Sequence, residues 1–111
     1  MDSVRWTEKD RFGNMIQMSE ERWRHVCVEH SDLARNEDWV RLTVREPQIV
    51  YQDTVDNTFY YFRRVHLPGH KPKFTKAVIG IAKSHQLFVV TAHSDKKIRV
   101  PKGARLTCIN L

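Results

Sequence analysis

Six histidines, a set of arginines and lysines on or beside apolar runs, and hydroxyls where those runs end are the residues of this chain that could do chemistry. Together they are the components of metal-independent RNA cleavage. In that reaction a base takes the proton of a ribose 2′-OH, cations hold the phosphorane charge, and an acid protonates the leaving oxygen. His25 and His30 lie five residues apart in RWRHVCVEH, and at about 100° per residue a helix separates them by roughly 140°, so they cannot share a face. His30 falls on an apolar stripe with Trp23, Val26 and Cys27, where an imidazole equally suits a hydrogen-bonded core or a helix end. His25 points away from Trp23 and could simply be solvated. Arg63 and Arg64 close the aromatic run FYYFRR, and strand alternation sends them to opposite faces. They are either rim charges or a phosphate clamp beside an exposed Tyr60 or Tyr61, whose ring would stack on a base. Lys76 opens the next strand, near that clamp. Thr91 and His93 share one face of QLFVVTAHS, where they either mark the end of burial or address one phosphate together.

Other chemistries lose support. The chain has no Walker loop, GxGxxG, GxSxG or HExxH, which argues against nucleotide hydrolysis and zinc proteolysis. Carboxylates are scarce where the basic strands lie, Asp56 and Asp95 being the two in the second half, so a two-metal nuclease is not expected, and no metal or cofactor is called for. Cys27 and Cys108 lack ligand spacing and read as buried thiols. Charge divides the chain: residues 1 to 55 carry 8 Lys/Arg against 11 Asp/Glu, whereas residues 56 to 111 carry 11 against 2. The basic half could meet a polyanion such as RNA, an acidic protein, or only solvent.

The elements that must position these residues can be read from periodicity. At 111 residues with 41% hydrophobic composition, the chain suits one domain spanning 1 to 111. No run is long and apolar enough for a membrane span and no signal-peptide layout opens the chain, so a cytosolic protein without membrane contact is expected. Ser19 caps a helix over residues 19 to 33, with Glu20 and Glu21 in its first turn. A second helix over 36 to 46 carries Trp39, Leu42 and Thr43 on its stripe and stops before Pro47. After Pro47 the period changes to two: QIVYQD, TFYYFRRV, TKAVIGIAK and QLFVVTAHS read as strands, with a further short one over 105 to 109. His66 to Phe74 reads as an exposed loop. Short links imply antiparallel pairing, with TKAVIGIAK and QLFVVTAHS as adjacent central strands. The expected architecture is α+β, two N-terminal helices packed on a four- to five-stranded antiparallel sheet.

Taken in order, RWRHVCVEHSDL, REPQIV, FYYFRR and AVIGIAKSHQLFVVTAHS resemble the phage barnase, EndoU, colicin and RelE-like (BECR-fold) nuclease family. The likeness covers about residues 20 to 94. His25 and His30 match the family's two helix histidines, Arg63 or Arg64 its strand arginine, and Thr91 the threonine of its last strand. Ser31 and Asp32 stand where the family has Pro-Glu, and His93 where it has an aromatic, so an imidazole there could assume a catalytic or phosphate-binding role. The resemblance implies an endoribonuclease, often a toxin neutralised by an acidic inhibitor or antitoxin. Its catalytic residues would be drawn from His25, His30, Arg64, Thr91 and His93, with Arg63, Lys76, Tyr60 and Tyr61 holding substrate. The alternative is a non-catalytic RNA- or protein-binding domain of a phage or mobile-element protein.

Overall fold

The computed structural model describes residues 2–66, 69 and 71–110. The chain begins with a hairpin, β1 (Val4–Lys9) and β2 (Met15–Ser19). Its turn is built by Asp10, whose carboxylate accepts from the Phe12 and Asn14 backbone N–H groups, and by Gly13, whose φ of 89° favours a residue without Cβ. Ser19 then caps α1 (Glu20–Glu29), its hydroxyl accepting from Arg22 N at 3.1 Å. The chain breaks at His30 before the single turn α2 (Ser31–Ala34), and α3 (Glu37–Arg45) ends just before Pro47. Five strands follow: β3 (Ile49–Asp53), β4 (Thr58–Val65), β5 (Lys73–Ile81), β6 (Leu87–Asp95) and β7 (Arg105–Ile109).

All seven strands form one sheet in the order β1-β2-β6-β5-β4-β3-β7. Every neighbouring pair is antiparallel except β2 and β6, which run parallel and are registered only at Ile16 with Leu87 and Gln17 with Phe88. The expected two helices on a four- to five-stranded antiparallel sheet are therefore corrected to three short helices on a seven-stranded mixed sheet. What the sequence concealed is the hairpin ahead of the helices. Its inward positions are Trp6, Glu8 and Asp10, all buried, and two carboxylates in that row erase the apolar alternation that marks a strand. Glu8 is buried because Arg41 and Arg45 of α3 reach it at 3.1 and 3.3 Å. The expected helix over 19 to 33 is likewise two pieces, divided at His30.

TKAVIGIAK and QLFVVTAHS do lie side by side, as β5 and β6 in the middle of the sheet. On one face the helices contribute Trp23, Val26, Leu33, Val40 and Val44 to a core with Met18, Ala77, Ile79, Val89 and Ala92. Of the expected α3 stripe Trp39, Leu42 and Thr43, Thr43 is fully buried, but Val40 and Val44 take the places of Trp39 and Leu42. Cys27 and Cys108 are free but half-buried, not buried. Of the expected His66 to Phe74 loop, Leu67, Pro68 and His70 lie outside the described residues. The link from β6 to β7, residues 96–104, must pass β5, β4 and β3 to reach the far edge. It runs over the face opposite the helices, where the Arg99 carbonyl accepts from Lys76 Nζ at 2.7 Å.

Candidate functional site

Alternation and register together lay out the face opposite the helices as a grid. Because Ala77 and Ala92 pair and point to the helix-side core, their neighbours Lys76 and His93, which also pair, point the other way. Phe62 of β4 pairs with Lys76. One row across three strands is thus Phe62, Lys76, His93. The row on one side is Arg64, Phe74, Asp95, and on the other Tyr60, Val78, Thr91. Directly opposed residues in such rows have Cβ atoms about 5 Å apart and diagonal neighbours about 7 to 8 Å. Arg64, Lys76, Thr91 and His93 therefore share a single small patch.

His30 joins it from another element. Beyond Phe88 no described strand pairs with the outer side of β6, and α1 packs along that strand. At the break after α1, the His30 ring reaches the margin of β6 and lies with its centroid 4.4 Å from that of His93, at an interplanar angle of 58°. Burial pushes the His93 imidazole below the ordinary histidine value; His30 and then Lys76 add to this, while Asp95 and Glu29 oppose it. The shift favours the neutral form of His93, which can accept a proton. Burial likewise lowers Lys76, against the pull of Asp95. Its ammonium lies 5.1 Å from the Tyr60 ring centre and 5.8 Å from that of Phe62. Asp95 and Arg99 close the patch, Oδ2 to Nε at 3.5 Å.

The remaining expected site residues are elsewhere. His25 is exposed on α1, 4.0 Å from Glu21. Arg63 takes the helix-side face, where a guanidinium nitrogen donates to the Glu46 carbonyl at 2.8 Å. Tyr61 is 3% exposed and donates its hydroxyl to Asp10 Oδ2 at 2.6 Å. Tyr60 is on the patch face but 7% exposed. The expectation that either tyrosine is exposed for base stacking is corrected: Tyr61 belongs to the core and Tyr60 lies beneath the Lys76 ammonium. Sequence reasoning missed Glu29 and Arg99 as neighbours of the patch. The spacing of Asp95 and Arg99 was a usable signal, since their ion pair is local.

Chemically, the patch offers two imidazoles in contact, two cations and a hydroxyl. Among the described residues no group of three or more His, Cys, Asp or Glu side chains is arranged to hold a metal ion. Among the same residues no helix is long and apolar enough to cross a membrane. Comparison with protein-family models, with curated proteins and with solved structures finds no match.

Proposed function

We propose that this chain cleaves RNA without a metal, using the patch on β4, β5 and β6. The observation that carries the reading is the contact of His30 with His93 beside Lys76. A neutral imidazole and a second imidazole within one ring's reach can act as base and acid for 2′-OH attack. Lys76 and Arg64 would hold the phosphorane oxygens, and the Thr91 hydroxyl would bond a non-bridging oxygen. His25, Arg63 and Tyr61 have no part in this chemistry. The resemblance to the BECR nucleases adds a toxin role, a cytosolic setting and an acidic inhibitor or antitoxin protein as its partner. The structural departures above leave the cleavage reading resting on the patch itself.

The test is incubation of purified protein with total RNA in EDTA, scored for fragments ending in 2′,3′-cyclic phosphate. Alanine at His30 or His93 should lower the rate by about 10² to 10⁴ while the protein stays folded, and His25→Ala should cut at the parental rate. Parental rates from folded His30→Ala and His93→Ala proteins would remove the proposal. A second reading, RNA binding without cleavage, is favoured by one observation: the Arg99 carbonyl already occupies Lys76. RNA retained in a strongly salt-dependent complex, with no new ends, would select it.

A further inference from the structure

On the helix-side face, at the end of the sheet away from His93, lies a cavity of about 520 Å³ that the cleavage chemistry does not use. Its lining comes from the sheet and two turns: Phe59 and Tyr61 of β4, Leu87 of β6, Cys108 of β7, Phe12 of the first hairpin, and His85. A volume of this size accepts a small organic ligand. The surface is mostly apolar, and its polar groups are few. Phe12 stands at the mouth, 48% exposed, with its ring edge-on to Tyr61 at 6.4 Å between centroids. Free solvent exposure of a phenyl ring is unfavourable, and a flat guest between Phe12, Phe59 and Tyr61 would cover it.

Charge selects among flat guests. Among the described residues no carboxylate lines the cavity. The nearest acid of the hairpin, Asp10, is buried, and its oxygens accept from Tyr61, Asn14 and the turn backbone. The Arg11 guanidinium, 5.7 Å from the Phe12 ring centre, donates to the Pro47 carbonyl at 3.4 Å outside the cavity, whereas the exposed His85 imidazole lines the cavity from a tight turn at φ 68°. We infer that this cavity binds a planar aromatic acid, its ring body among Phe12, Phe59 and Tyr61 and its anionic group toward His85.

The inference is independent of RNA cleavage, and Cys108 in the lining provides a local reporter. Anilinonaphthalene sulfonate is titrated by fluorescence while iodoacetamide labelling of Cys108 and Cys27 is followed by peptide mass spectrometry. One probe should bind per chain, and saturation should slow Cys108 labelling roughly tenfold, leaving Cys27 unchanged. Phe12→Ala, at an exposed turn position, should weaken binding roughly tenfold without loss of folding. His85→Gly, which suits the positive φ, should weaken the sulfonate but not neutral anilinonaphthalene. Equal slowing of both thiols, or parental binding by Phe12→Ala, overturns the inference. So does Cys108 protection that rises with protein concentration in the absence of probe, which would show a second copy of the chain filling the cavity.

Discussion

Replacing Lys76 by Met separates an ammonium kept for substrate from one kept for stability. Three contacts favour the charge in the folded state. The bond to the Arg99 carbonyl at 2.7 Å is a charge-assisted one of about 1.5 to 3 kcal/mol, and the two ring contacts at 5.1 and 5.8 Å add about 0.5 to 1 kcal/mol each. Against them stands the partial loss of the ammonium's hydration, a cost of several kcal/mol for a buried ion and less for one that water still screens. Burial outweighs the pull of Asp95 and lowers the Lys76 pKa below the ordinary lysine value, so the favourable contacts and the lost hydration largely offset each other. On that balance the charge adds little to the stability of the fold. Met keeps the stem over Tyr60 and Phe62 and removes the ion, so Lys76→Met should unfold in urea within about 1 kcal/mol of the parent or above it. RNA binding should lose about one unit of salt slope, as expected for one phosphate contact. A loss of stability beyond about 2 kcal/mol with unchanged salt slope would refute the reasoning and make Lys76 a peg for the β6–β7 link.

Three further outcomes follow from single contacts. Tyr61→Phe removes a buried hydroxyl donor to Asp10 Oδ2 and should cost about 1.5 to 3 kcal/mol in denaturant unfolding; a cost under 0.5 kcal/mol would mean the hairpin turn is held by its own backbone bonds. Because His93 is depressed in the folded state, it contributes stability that is present above about 6.5 and lost as pH falls through the folded value, so His93→Gln should flatten the acid limb of a stability–pH curve. In Gly80→Ala the added Cβ would meet Phe88 Cζ and Val90 Cγ2 at 3.0 Å each; the crowding, about 1 to 3 kcal/mol, should exceed the roughly 0.5 to 1 kcal/mol gained in backbone entropy, and a raised melting temperature would contradict it.

Where local chemistry decides, the sequence was legible. TFYYFRRV became β4 with its expected bounds, and the strand over 105 to 109 became β7. Ser19 is legible as a cap because capping is a local act, and its hydroxyl does accept from Arg22 N. The hairpin was not legible, since burying Glu8 depends on Arg41 and Arg45, more than 30 residues away. The break at His30 carries neither Gly nor Pro and so leaves no local mark. For the site, alternation was enough to separate Arg63 from Arg64 and to join Thr91 with His93. It could not foresee that residues 96–104 would cross the same face, since a crossover is a property of strand order. Nor could it bring His30 to His93, which requires the short parallel register of β2 that leaves the margin of β6 open.

That short parallel register also has a kinetic consequence. The N-terminal hairpin is registered to the rest of the sheet by two residue pairs, beside the side-chain bonds of Gln86, which donates to the Met15 carbonyl across 71 residues of sequence, and of Tyr61, which donates to Asp10. By contrast, β3 to β6 are linked by successive short-range antiparallel pairings. Closing the long loop brings its reward only once both partners exist, so the β3–β6 meander should form first and the hairpin dock last. In native-state hydrogen exchange, the β1 amides would then open at lower free energy than those of β5. The His30–His93 contact depends on where α1 is seated, and α1 starts directly from β2. The last event of folding would therefore also be the one that assembles the imidazole pair.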